Sequence, residues 1–345
     1  MKKNIYIVTV YNSLNPGSFL QASSLYNSLA SLGYQVCFLK TGARSLIKQT
    51  FLSVVFMFKQ RKFADIIPKI KMGFAFAKQL KDYYIADAQM KENEIYILGS
   101  DEIWNVARRD MAAYPIFWGG GLALERCISY APSLNNTTAE QLKQYEYAYS
   151  SLEKMYSISV RDSYSKKVLQ EITDREIAVV CDPTVLLSAD EYKKKVKVCP
   201  DKGYILIYIY NRAVSQEDID AIITFAKHKG KKLISFGSVH KWCDKNVKGT
   251  AYDFLMYINH ADYVCTSTFH GTMFSAIFHK QFAVLGTKNR KVSELLDVLE
   301  LERRASKETL RQVLEADYDH QKLSNRLDEL RQAGLKYLQN SIEML

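Results

Sequence analysis

The chain has 345 residues, 48% hydrophobic and 24% charged, with 15 Gly and 6 Pro. That excludes a collagen-like, low-complexity or largely disordered chain, and the length calls for two cores of ordinary size rather than one. The formal net charge of +10 is unevenly placed: residues 44–81 hold nine basic residues against the single acid Asp65, so that window alone carries +8.

In chain order, the apolar run 5–10 predicts a first strand, leading into the polar loop YNSLNPGS. Leu20, Leu25, Leu29 and Leu32 follow at near-helical spacing, Gly33 stops that helix, and YQVCFL predicts a second strand. The start MKKNIYIVTV reads as a buried strand rather than a leader. The longest apolar run, Phe51–Phe58, is far short of the roughly 20 residues that cross a bilayer. Residues 44–81 predict two basic amphipathic helices split at Pro68. Beyond them come strands at 95–100 and 126–133, a helix over 139–152, a strand at 157–161, a helix over 163–171 and a strand at 177–183. The charged stretch 188–203, with Pro200 and Gly203, marks a domain junction.

The alternation restarts with a strand at 204–210 and continues through helices over 215–230 and 251–259, strands near 231–237, 262–267 and 281–286, and helix from Arg290 to the end. This is α/β architecture with doubly wound parallel sheets, which place ligands at the C-terminal edges of their strands. The expected organisation is a first domain over 1–187, a second over 203–320, the two facing across a cleft, and a helix over 321–345 packing back on the first domain. The six cysteines are widely spaced, none in a C-x-x-C, as free thiols of a protein of the reducing cytoplasm would be.

Four segments combine strand ends with chemistry-bearing residues. In VCTSTFHGTMFSAIF an apolar strand runs into Thr266, Ser267 and Thr268, then His270 and Gly271 open an apolar helix. Free amides and the helix dipole favour an anion there, and His270 could bind a phosphate or deliver a proton; the same pattern also describes a simple capped turn. In SISVRDS, Arg161 at a strand end could fork onto a carboxylate or phosphate, or pair with an acid of its own chain. In LGSDEIWN, following Ser100, Asp101 is a candidate base and Trp104 with Asn105 a candidate sugar platform, against a capped turn with a core tryptophan. The first loop sets Asn15, Gly17 and Ser18 before a helix, but is neither a G-x-G-x-x-G fingerprint nor a Walker loop.

Together, NPGSFLQASSLYNSLASLGYQV, YILGSDEIWN, ISYAPS, SVRDSYSKKVL, CDPTVLL, ADYVCTSTFHGTMFSAIF and NRKVSELLDVLEL resemble the polysaccharide pyruvyl transferase family, whose members are GT-B-like with two Rossmann-like domains. The pairing of S-x-x-H-G with a distant G-S-D-x-x-W-N carries most of the resemblance. Pro16 and Thr268 depart from the family pattern, some members having Arg at the second position. The resemblance implies transfer of pyruvate from phosphoenolpyruvate onto two hydroxyls of one sugar, in a polysaccharide or its lipid-linked precursor, leaving a ketal and phosphate. It requires no cofactor and no metal. It implies a donor contact from Arg161; fitted to this reaction, the candidate donor contacts are Arg161, Thr268, His270, Gly271 and Arg290, the candidate acceptor contacts Asn15, Gly17, Ser18, Ser100, Trp104 and Asn105, and the candidate catalytic groups His270 and Asp101. The alternatives are a nucleotide-sugar glycosyltransferase of the same fold, with Glu294 as its ribose carboxylate, and a non-catalytic glycan-binding protein.

The basic window interleaves lysines with Phe51, Phe56, Phe58, Phe63, Phe74 and Phe76. It suits an anionic membrane surface, or an ordinary helical insertion with its aromatics in the core. Nucleic acid is disfavoured as a partner, because the charge accompanies a broad apolar face rather than polar and stacking residues.

Overall fold

Runs of β-branched and aromatic residues, each closed by small or polar ones, become short parallel strands in the computed structural model, which describes residues 3–42, 45–61, 63, 66–87, 94–210, 214–286, 289–305 and 308–345. Strands β1 (Asn4–Val8), β2 (Gln35–Leu39), β3 (Ile85–Ala86), β4 (Glu94–Leu98) and β5 (Cys127–Ser129) form one parallel sheet in the order β3-β2-β1-β4-β5. Beyond them β6 (Ser159–Val160) and β7 (Ala178–Val179) pair in parallel. A second parallel sheet has the order β10-β9-β8-β11-β12, with β8 at Tyr204–Tyr208, β9 at Lys232–Phe236, β10 at Lys245–Val247, β11 at Tyr263–Thr266 and β12 at Gln281–Val284. Every residue of β4 and of β8 is buried, as expected of strands flanked on both sides and covered on both faces.

Register sets the functional loops. Val8 of β1 lies level with Leu98 of β4, so the loops that follow both strands leave the sheet side by side. Tyr208 of β8 lies level with Thr266 of β11 in the same way.

The chain divides into two compact units. The first comprises Met1–Phe63, Gly73–Leu187 and Glu329–Leu345; the second comprises Ala64–Met72 and Ser188–Asp328. The final helix is His320–Glu343, and its part from Glu329 onward belongs to the first unit. There Lys3 donates to the Ile342 carbonyl (2.6 Å), Tyr337 to the Ser129 carbonyl (3.0 Å) and Arg331 to the Val185 carbonyl (3.0 Å), while Leu338 and Ile342 are fully buried. Gly334 permits this approach, because a side chain there would meet the Tyr130 hydroxyl and the Cys181 sulfur.

Several expectations about local structure are corrected. The helix predicted over 139–152 is two, Ala139–Lys143 and Glu146–Lys154, the first opened by a Thr138/Gln141 capping box. Pro68 does not split the basic window: it sits in the first turn of the helix Ile66–Leu80, where its missing N–H costs nothing, and the break lies upstream. From Arg290 onward the chain forms separate helices at Arg290–Leu299, Leu310–Glu315 and His320–Glu343 rather than one. Strands β3 and β10 were not expected, being edge strands too short and too exposed to carry an alternation.

Candidate functional site

In the first unit, the loops after β1, β4, β5 and β6 form one polar network at the C-terminal edge of the sheet. Asn15 caps the helix Pro16–Ser31, its Oδ1 accepting from the Gly17 amide at 2.9 Å, with Pro16 preset for the first turn. This start aims Ser18 at the next loop, where its hydroxyl donates to Asp101 Oδ2 at 2.6 Å. Asp101 holds φ +69°, and its other carboxylate oxygen accepts from the Glu102 amide at 2.9 Å. Gly99 makes that turn possible: its φ is +134°, and a side chain there would run into the Tyr130 carbonyl. The Gly99–Ser100 peptide is cis.

Arg161 and Asp182 complete the network. Arg161 Nη1 donates to Asp182 Oδ2 at 2.8 Å, with the two side chains only 5% and 0% exposed. Burial works to lower the proton affinity of the guanidinium, but the carboxylates of Asp182, Asp101 and Asp162 outweigh it and raise the pKa. Asp182 also accepts from the Thr184 amide and hydroxyl, at 3.0 and 2.7 Å, pinning the turn Pro183–Val185. Asp162 caps the helix Ser163–Gln170 and accepts from Ser133 at 2.6 Å. Next to the first loop lies a cavity of about 680 Å³ whose walls include Asn12, Ser13, Arg108, Arg109 and Tyr114.

In the second unit the corresponding edge carries the other motif. Thr268 caps the helix Phe269–Ile277, its Oγ1 accepting from the Gly271 amide at 2.9 Å, while its own amide donates to Thr266 Oγ1 at 3.1 Å. Thr266 in turn donates to the Tyr208 carbonyl at 2.9 Å, tying the turn to β8. Gly271 is required by packing, since a Cβ would collide with the hydroxyls of Thr266 and Thr268. His270 therefore occupies the first turn of a rigidly anchored helix, half-buried and edge-on to Phe269. Arg290 is exposed at the head of the helix that follows β12, the neighbour of β11.

The structure thus joins Ser18 to Asp101 directly, with Arg161 near enough for its charge to act on Asp101, and sets Thr268, His270 and Gly271 on one turn. Some expected roles are corrected. Trp104 is no sugar platform: it is fully buried, stacked on Trp118 at 4.4 Å, and its Nε1 donates to the Phe117 carbonyl. Asn105 is buried, accepting from Thr137 at 3.0 Å and donating to Glu102 at 3.2 Å, so it braces the loop. Ser100 is buried with its hydroxyl on the Ala131 carbonyl. Arg161 is not an open cation awaiting a donor, because Asp182 already holds it.

Sequence reasoning missed Asp182, which stands in a segment carrying the family resemblance but lies 21 residues from its partner. It also missed Arg108 and Arg109, just past the turn that drew attention. Arg108 pairs with Asp110 at 2.7 Å.

Comparison with known proteins gives one family and one fold. The family model for polysaccharide pyruvyl transferase matches residues 15–289, from the cap of the first helix to the residue before Arg290. No curated protein matches the chain. Among solved structures, UDP-GlcNAc 2-epimerase from Neisseria meningitidis, bound to UDP-GlcNAc, is similar with TM-score 0.51 and 9% identity over 100% of each chain. UDP-GlcNAc 2-epimerase from Methanocaldococcus jannaschii is similar with TM-score 0.50 and 12% identity, over 96% of this chain and 93% of that one. At such identities the likeness shows the fold alone, a GT-B-like pair of Rossmann-like domains.

Proposed function

The chain belongs to the polysaccharide pyruvyl transferase family, and from that membership we propose that it moves pyruvate from phosphoenolpyruvate onto two hydroxyls of one sugar in a glycan or its lipid-linked precursor. The observation that carries this reading is the anchored His270–Gly271 helix start inside the matched span.

The reaction makes definite demands. One proton must reach C3 of the enol, making it a methyl group and leaving an oxocarbenium-like C2. Two sugar oxygens then bond to C2, the C2–O bond to phosphate breaks, and phosphate leaves. Of the two hydroxyl protons released, one balances C3 and the other ends on phosphate.

The second unit supplies what the donor needs. The first turn of Phe269–Ile277 offers backbone amides and the positive end of the helix dipole to a phosphate or carboxylate. His270 on that turn serves as the acid for C3, since an imidazole exchanges its proton near neutral pH. Arg290 adds a cation at the same sheet edge. The first unit supplies what a sugar needs: Asp101, oriented by Ser18 and the Glu102 amide, as acceptor for a substrate hydroxyl, and a separate cavity of about 680 Å³ lined by Asn12, Ser13 and Arg108 next to the first loop. Arg161 is held by Asp182, close enough for its charge to act on Asp101, rather than offered to the donor.

The test is phosphate release from phosphoenolpyruvate with a pool of acceptor glycans. Release that needs the acceptor, and that falls by about 10² or more in kcat for His270→Asn, supports the reading. Release of nucleoside diphosphate from a nucleotide sugar instead would replace it with the glycosyltransferase reading.

A further inference from the structure

The helix Leu46–Lys59 is built inside out. Its uncharged polar residues are half-buried: Gln49 donates to the Asn12 carbonyl at 2.6 Å, and Thr50 and Ser53 donate to their own helix at 2.8 Å each. Thr50 also abuts Gly73 of the helix Ile66–Leu80, where a Cβ would collide with its hydroxyl. Most of the large apolar residues turn outward, while Leu46 is buried and Val54 and Met57 are half-buried. Ile47, Phe51, Val55 and Phe58 recur at helical spacing along the outer face, and Ile47, Phe51 and Phe58 are 81%, 65% and 62% exposed. Phe63 stands edge-on to Phe58, both open to solvent, and Phe74 is 74% exposed. Of the six phenylalanines in this window only Phe76 enters the core, so the core-insertion reading of the aromatics is corrected.

Cations flank this apolar face: Lys48, Lys59, Arg61, Lys78 and Lys81 are all exposed. The sequence from Ser45 to Lys81 contains one acid, Asp65. An exposed apolar face of this extent marks an interaction surface. A second copy of the chain is a poor occupant, because burying the face against itself would set lysines against lysines. An anionic bilayer satisfies both features at once: aromatic rings enter the interface while lysine stems lie along it with their ammonium groups at the phosphates. Among the described residues no helix is long and apolar enough to cross a membrane.

We infer that the outer face of Leu46–Lys59, with Phe63 and Phe74, docks this protein flat on an anionic membrane surface without spanning it. The inference is independent of the pyruvyl donor: a protein that released no phosphate from phosphoenolpyruvate would still bind lipid through this face.

The test uses the full chain in sedimentation with phosphatidylcholine vesicles, with and without phosphatidylglycerol, at low and high salt. Binding should require the anionic lipid and weaken with salt. Each basic residue at such a surface is worth roughly fivefold in affinity, so Lys59→Glu with Arg61→Glu should weaken binding by about 25-fold or more. Phe51→Ser with Phe58→Ser should reduce binding too; both sites are exposed, so the fold should persist, and an unchanged thermal transition is the control. Absence of binding to anionic vesicles at low salt overturns the inference, as does binding that neither variant alters. So does a lipid-indifferent dimer, seen by analytical ultracentrifugation, that the same variants abolish.

Discussion

Replacing Asp182 by Ala removes one partner of a buried ion pair, and the cost follows from its geometry. Arg161 and Asp182 are 2.8 Å apart with side chains 5% and 0% exposed, so the guanidinium left behind could not be rehydrated without opening the loop. Breaking one side of such a pair typically costs about 3–5 kcal/mol, whereas an exposed bridge is worth about 0–1 kcal/mol. The substitution also removes the acceptor of the Thr184 amide and hydroxyl, adding about 1 kcal/mol for a lost cap. We therefore expect Asp182→Ala to destabilise the first unit by about 4–6 kcal/mol. Joint replacement, Arg161→Met with Asp182→Leu, should recover part of the loss, because the buried guanidinium no longer lacks its partner, while Asp101 and Asp162 lose a nearby cation. The assay is urea unfolding followed by far-ultraviolet circular dichroism, closed as a double-mutant cycle. A loss below about 1 kcal/mol for Asp182→Ala would refute the structural reading of the pair. So would an Arg161→Ala protein of normal stability whose only defect is a raised KM for phosphoenolpyruvate.

Gly271→Ala should destabilise the second unit by about 1–3 kcal/mol and displace the first turn, since its Cβ has no room beside Thr266 and Thr268; wild-type stability and turnover would contradict that packing. Trp104→Ala should cost about 3–5 kcal/mol through loss of the stack on Trp118, seen in the same unfolding assay, whereas a sugar platform would lose acceptor affinity at unchanged stability. Burial pushes the thiols of Cys127, Cys181, Cys243 and Cys265 up to about 12 and that of Cys37 to about 11. Iodoacetamide at mildly alkaline pH should therefore label these thiols in the native protein far more slowly than in urea, and equal rates would argue against the packing around them.

Much of this protein was legible locally. Apolar runs closed by small residues marked the central strands, and Ser, Thr, Asn or Asp ahead of periodic stretches marked helix starts at Asn15, Asp162 and Thr268. These signals are readable because a cap and a buried strand depend on near neighbours in the chain. Thr268, His270 and Gly271 belong to the same class, three residues of one turn whose proximity the sequence itself guarantees.

What the sequence could not contain is which face is covered and which distant charges meet. An identical apolar periodicity describes a helix packed inward, such as Pro16–Ser31, and one turned outward, such as Leu46–Lys59; only the placement of neighbouring elements separates them. Trp104 looked open to a sugar until Trp118 closed on it. Arg161 looked free until Asp182, 21 residues on, took its charge, and Ser18 reaches Asp101 across 83 residues. Hydrophobic spacing and capping are short-range properties written into the chain, whereas burial and ion pairing arise from the sheet order that brings remote loops to one edge.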